Sequence, residues 1–302
     1  MSQPQLQPTS TGTVPINEPN ERLTSSKQFL RKLAKNKAAI AGALIVTVFI
    51  SLAIFAPLIA PHSPTTMNIA NKLQPPSAEH WFGTDDKGRD ILSRLLYGSR
   101  ISLTVGIVST ILGAIVGIVL GIVAGYYGRW VDSLLMRICD VLLAFPGILL
   151  ALAIVSVLGA STTNVIIAIA FFAVPTFARI VRGSTLSVKK LEYIDAIRAM
   201  GATDGRIIFR HILPNIVSPI IVQSTLYIAS AIITAAALSF LGMGTQPPDP
   251  EWGTMLSQGR SYIRQAPHIT LFPGLVILVV VIGFNLFGDG LRDALDPKTK
   301  KS

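Results

Sequence analysis

Apolar residues run in long blocks along this chain, and the polar residues collect between the blocks. Uncharged stretches cover Ala38 to Ala60, Ile101 to Gly125, residues 141–178, about Asn215 to Leu241 and about Ile269 to Phe287. Each is long enough for a helix to cross a hydrocarbon core of roughly 30 Å at about 1.5 Å per residue. The block at 141–178 is 38 residues long, too long for one crossing. The polar run Gly159 to Asn164 divides it into a helical hairpin. The pattern predicts six spans in an all-α polytopic membrane protein. A tail (1–37) precedes the first span (38–60), a polar loop (61–100) follows it, a five-span core occupies 101–290, and a short tail (291–302) ends the chain.

One polar stretch is too well patterned to be a linker. Residues 189–214 read KKLEYIDAIRAMGATDGRIIFRHILP. At about 100° per residue, Tyr193, Ile194, Ala196, Ile197 and Met200 share one helical arc, and Glu192, Asp195 and Arg198 share the other. Asp195 and Arg198 stand three apart and can pair. Gly201 suits the end of that helix. Thr203 or Asp204 can cap a second short helix starting near Arg206. Pro214 fits the first turn of the next span. The stretch predicts a short amphipathic helix lying crosswise at the membrane surface, able to dock on a soluble partner or to rest on lipid headgroups.

The loop at 61–100 contains WFGTDDKGRDILSRLLYGSRISL. Asp85 or Asp86 can cap a helix from about Gly88 to Tyr97, with Ile91, Leu92, Leu95 and Leu96 on its apolar face and its charged side chains in water. That places an interfacial helix ahead of the second span. The loop from Gly242 to His268 is rich in Pro and Gly and predicts an irregular lid. Within the second span Gly113, Gly117, Gly121 and Gly125 recur every four residues, with Gly106 one heptad earlier. Residues four apart share a helix face, and a glycine face lets another helix approach closely inside lipid. Pro146, Pro175 and Pro273 are expected to kink their spans.

Charge sets the orientation. Half of the residues are apolar and 14% are charged, with a net charge of +10. The basic residues flank the apolar blocks instead of forming a patch with interleaved aromatics, so they point to membrane lipid and away from nucleic acid. With the amino terminus in the cytoplasm, the inner segments carry 19 Lys and Arg and the outer loops 7, as the positive-inside rule requires. Six of the 19 lie in residues 21–37. Both termini and the 189–214 loop then face the cytoplasm. Residues 1–20 carry a single charge and are rich in Gln, Pro, Ser and Thr, which predicts disorder.

The missing chemistry narrows the function. There is no GxxxxGK[ST] phosphate loop, HExxH or CxxC. One cysteine, Cys139, excludes an internal disulfide. His62, His80, His211 and His268 are scattered without metal-ligand spacing. No metal or cofactor is expected in this chain. Asp140 and Asp289 fall near the ends of spans, where an ionised group avoids the roughly 2.5–3.5 kcal/mol cost of mid-bilayer burial. An ion-coupled secondary transporter would need intramembrane acids. An intramembrane enzyme would need a Ser/Lys, Asp/Asp or His-rich constellation. The spans offer neither.

The 189–214 loop resembles the EAA loop of ABC importer permeases at Asp195, Ala196, Ile197, Gly201, His211, Leu213 and Pro214. It carries Asp for Glu, Ile for Ala and His for Ile. FGTD with GRD and SRLLYGSRISL, then FLGMGTQPPDPEWGTML, then FNLFGDGLRDALDPK resemble the C-type permease subunit of oligopeptide and dipeptide importers. The likeness covers about residues 80–300 and leaves the first 35 without a signal. It implies a type I ABC importer permease fold, in which a homologous permease completes the pathway. It implies two cytoplasmic ATPase subunits that bind ATP and Mg²⁺ and an extracytoplasmic solute-binding protein. Tyr193, Asp195, Ala196, Ile197, Arg198, Gly201, Leu213 and Pro214 are then the ATPase-coupling residues. Asp85, Arg89, Asp90 and Trp252 are the candidate contacts to the binding protein. Peptides are the expected cargo, with nickel chelates or glutathione as alternatives.

Overall fold

The computed structural model describes residues 31–295, Lys32 excepted. The expected disordered tail (1–20), most of the basic run at 21–37 and residues 296–302 lie outside the described residues. Ten α-helices are described here: α1 (Lys37–Ile59), α2 (Ile91–Tyr127), α3 (Arg129–Leu143), α4 (Gly147–Leu158), α5 (Thr162–Lys189), α6 (Glu192–Ala199), α7 (Asp204–Ile207), α8 (Leu213–Phe240), α9 (Trp252–Gly259) and α10 (His268–Leu295). Among the described residues the one β contact is an isolated bridge between Thr84 and Asp90.

Five helical segments are long and apolar enough to cross a membrane, and a bent pair, α3 with α4, makes the sixth candidate. The helix axes turn by 87° between α3 and α4. The break falls at Ala144 to Pro146, where Pro146 caps α4 without an amide hydrogen to continue the helix. At 12 residues, α4 is about 18 Å long, short of the hydrocarbon core. Chain connectivity still requires a crossing here. α2 ends beside Lys189, whose Nζ donates to the Tyr126 carbonyl at 2.5 Å. α5 begins beside Thr245, bonded to Thr162 at 2.9 Å. The segment between must therefore travel from one end of the bundle to the other. The expected hairpin turn is present, with Gly159 at positive φ and Ser161 accepting from the Asn164 amide as N-cap.

The described ends of the chain meet at the end of the bundle that carries loop 189–214. The side chain of Asn36 donates to Asp293 at 3.2 Å and caps α1 through the amides of Ala38 and Ala39. α10 runs eight residues past the expected boundary at Phe287 and still packs on α1, where Gly290 lies against Ala39.

The glycine stripe of α2 forms the main seam. A β-carbon at Gly117 would lie 2.5 Å from Phe177 Cβ and 2.8 Å from the Val174 carbonyl oxygen. Gly113 meets Ala173 and Ala170, Gly121 meets Ala178 and Val181, and Gly125 meets Thr185 and Arg182. All of these neighbours lie on α5, so four glycines at one helical spacing bring two backbones together. Gly106 faces Ile232 of α8 instead. Pro175 and Pro273 sit inside α5 and α10.

Candidate coupling surface and the opposite cap

The loop at 189–214 is anchored from within. Leu191 is extended and precedes α6, whose first turn carries Glu192 and Asp195, favourable at a helix N-terminus. The helix ends in a Schellman motif. The Gly201 amide donates to Arg198 O at 2.9 Å and the Ala202 amide to Ile197 O at 3.3 Å. Gly201 holds φ +84° with nothing within 4 Å of a would-be β-carbon. Its glycine identity serves backbone geometry, not packing.

Only part of the expected apolar arc faces inward. Ile194 is fully buried and Ile197 partly, in a cluster with Ile207, Ile212, Ile216, Ile122 and Val181. Tyr193, Ala196 and Met200 are exposed, Met200 at 78%. With Phe209 and Leu191 they leave an apolar surface on the outside of the loop. The polar pair forms as the spacing predicts, Arg198 donating to Asp195 at 3.2 Å. Thr203 precedes α7 but makes no side-chain cap. Asp204, the other capping candidate, accepts a hydrogen bond from the Tyr126 hydroxyl at 2.6 Å.

Tyr126 has no counterpart in the sequence reading. It stands at the end of the glycine-striped helix, with the Arg198 guanidinium 5.9 Å from its ring centre and Asp204 on its hydroxyl. The neighbouring Tyr126 side chain raises the Arg198 pKa above its ordinary value. One side chain thus ties α6 and α7 to α2. Pro214 stands in the first turn of α8, as expected, and the candidate span continues back from it to Asp204. A π turn at Ile208–Ile212 relieves the clash between a proline ring and the preceding turn. Asn215 donates to the His211 carbonyl at 2.6 Å, and Leu213 packs at the edge of the isoleucine cluster.

The opposite end is a closed polar cap, and here the sequence expectation is corrected. Asp85, Arg89, Asp90 and Trp252 are all buried, Arg89 and Trp252 completely. They are framework and present no surface to a partner. Asp85 accepts from Arg89 Nε at 2.7 Å and from the Lys87 and Arg89 amides, which folds the turn through Gly88 at φ +69°. That turn cannot be helical, so neither Asp85 nor Asp86 caps a helix. Asp90 caps α2 instead, accepting from the Ser93 amide at 2.8 Å. The expected interfacial helix is the first part of α2, continuous with the second span, with Ile91, Leu95 and Leu96 buried. Arg89 donates to Gln258 Oε1 at 3.1 Å and Arg94 to the Pro64 carbonyl at 3.0 Å. Charges expected in water are thereby paired inside the cap.

The second polar loop is more regular than its composition suggests. Glu251 caps α9 through the amides of Gly253 and Thr254, and Trp252 Nε1 donates to the Leu95 carbonyl at 3.1 Å. Nor do the histidines stay scattered. His62 and His80 lie with ring centres 4.7 Å apart, and with Glu79 they bring three potential ligand atoms within 4.8 Å of one another.

Comparisons with known proteins agree with this geometry. Residues 117–301 match the family described as binding-protein-dependent transport system inner membrane component. Residues 24–76 match the N-terminal TM domain of oligopeptide transport permease C, so the likeness begins before residue 35. The chain is 56% identical over 274 residues to the dipeptide transport system permease protein DppC of Alkalihalophilus pseudofirmus, covering 91% of this chain and 90% of that one. It is 50% identical over 289 residues to the glutathione transport system permease protein GsiD of Pectobacterium atrosepticum, covering 95% and 96%. Among solved structures, an inward-facing MetNI methionine ABC transporter chain superposes with a TM-score of 0.57 at 19% identity, over 68% of this chain and 98% of that chain. That likeness speaks for the fold alone. This multi-pass inner-membrane chain belongs to the family of binding-protein-dependent transport system inner-membrane components, within the branch of dipeptide and oligopeptide ABC permease C-type subunits.

Proposed function

We propose that this chain is the non-catalytic permease subunit of an ATP-driven importer of di- and oligopeptides. A homologous permease lines the pathway with it, and two cytoplasmic ATPase subunits hold the ATP and Mg²⁺. A solute-binding protein delivers cargo on the other side. The carrying observation is the surface loop around α6. Its inner face is locked by Ile194 and Tyr126, while Tyr193, Met200 and Phe209 stand exposed beside Asp195 and Arg198. Such a rigid, partly apolar projection on a chain without a phosphate loop suits a lever gripped by a separate motor. Tyr193, Asp195, Ala196, Arg198 and Gly201 form the grip. Ile197, Leu213 and Pro214 hold it to the bundle. With the amino terminus in the cytoplasm, the grip faces the nucleotide pool.

The test is uptake by the assembled transporter in proteoliposomes, with labelled dipeptide, glutathione and a nickel chelate offered in parallel. ATP-dependent dipeptide accumulation that survives collapse of all ion gradients supports the reading. Accumulation driven by an ion gradient without ATP would sink it. The glutathione permease relatives, at about the same identity as the dipeptide one, make glutathione the second cargo to test.

A further inference from the structure

We propose that the cap opposite the coupling loop holds a divalent transition-metal site built from His62, Glu79 and His80, with Asp90 as its orienting carboxylate. The site does not depend on the transport reading. A cavity of about 190 Å³ is lined by both imidazoles, Glu79 and Asp90, and no lysine or arginine is among its lining residues. Asp90 Oδ1 lies 2.9 Å from His80 Nδ1 and 3.8 Å from His62 Nδ1. A carboxylate only accepts, so His80 Nδ1 carries the proton of that bond. In the neutral imidazole this leaves the Nε2 lone pair for a metal, the carboxylate–histidine arrangement that orients metal ligands. His62 Nδ1 is buried with no hydrogen-bond partner among the described residues. A buried nitrogen without a partner, beside a second imidazole and two carboxylates, is a donor set that a cation can satisfy.

The ligands are held by the fold, not by chance side-chain approach. His80 is fixed by a turn in which the Ser77 amide donates to its carbonyl at 2.8 Å and its own amide donates to Ser77 Oγ at 3.0 Å. The His62 amide donates to Ser93 Oγ at 3.0 Å, and that hydroxyl donates to Asp90 at 2.7 Å. Four-coordinate zinc bonds of about 2.1 Å put ligands about 3.4 Å apart. The ligand atoms, now within 4.8 Å of one another, must close by up to about 1.4 Å, through rotation of the exposed Glu79 side chain and of the half-buried His62 ring. Two imidazoles and one carboxylate select zinc-like ions over the oxygen-seeking Mg²⁺ and Ca²⁺. Bound there, the ion clamps the segment leaving α1 to the N-cap of α2.

The test uses the full chain purified through a histidine-free tag and titrated with Co²⁺ alone. The wild type is expected to bind one equivalent, with the strong visible absorption of a four-coordinate ion, displaced by Zn²⁺ and not by Mg²⁺. His62→Ala and Glu79→Gln should each weaken binding at least tenfold, while His211→Ala on the opposite end leaves it unchanged. Glu79 is exposed, so Glu79→Gln keeps the test alive if His62→Ala misfolds. Absence of stoichiometric binding, or binding unchanged in His62→Ala or in Glu79→Gln, overturns the proposal.

Discussion

Adding one methyl group to the seam between α2 and α5, as Gly117→Ala, tests whether close backbone approach holds this bundle together. The new carbon would sit 2.5 Å from Phe177 Cβ, 2.8 Å from Val174 O and 3.1 Å from Ala178 N. Carbon contacts are comfortable at about 3.5–4.0 Å, so the helices must part by about 1 Å. Phe177 is fully buried and has no space to yield, and a backbone carbonyl cannot rotate away. Overpacking of this kind costs about 1–3 kcal/mol. Helix propensity returns up to about 1 kcal/mol, because alanine favours the helix over glycine. The control is Gly183→Ala in α5, where nothing lies within 4 Å of the added carbon and only the propensity gain remains. The two variants should therefore differ by about 1–3 kcal/mol, Gly117→Ala being the less stable. Denaturation by SDS titration, followed by circular dichroism, reads the difference. Gly117→Ala as stable as Gly183→Ala would refute the close-packed seam.

Three further outcomes follow from the same geometry. Arg89→Ala removes the 2.7 Å hydrogen bond to the buried Asp85 carboxylate, about 1.5–3 kcal/mol for a charged pair, and leaves Arg94, 3.5 Å away, as the remaining cation on it, so the chain should fall in membrane abundance while exposed Arg264→Ala is unaffected. Tyr126→Phe removes the hydrogen bond to Asp204, worth about 1.5–3 kcal/mol to a charged acceptor. Amide exchange in α6 and α7 should speed up and transport-linked ATP hydrolysis fall, with membrane insertion intact. Gly201→Val imposes a β-branched residue at φ +84°, at about 1–2 kcal/mol or more. Uptake should be lost at normal expression, and Gly201→Asn, which tolerates that region better, should retain more. Equal uptake in the two Gly201 variants would remove the backbone argument.

Membrane class, the number of crossings and the helix pattern of the surface loop were legible in the residues alone. Hydrocarbon imposes length and apolarity on each span locally, so a linear reading suffices. The glycine face of α2, the Asp195–Arg198 pair and the helix end at Gly201 follow from periodicities within single helices and were equally legible. What the residues alone could not reveal depends on groups far apart in sequence. Charged Asp85, Arg89 and Asp90 read as solvent-facing because ionised groups are costly to bury alone. They are buried in a cap where Gln258, 169 positions from Arg89, accepts from its guanidinium, as Pro64, 30 positions away, does from Arg94. Trp252 is covered for the same reason, its indole meeting Leu95 across 157 residues. Tyr126 became a joint only when α2 met the surface loop, and His62 a neighbour of His80 only when the 61–100 loop folded back on itself. A chain's periodicity dictates which faces exist; tertiary packing decides which of them meet, and the polar cap exists only through those meetings.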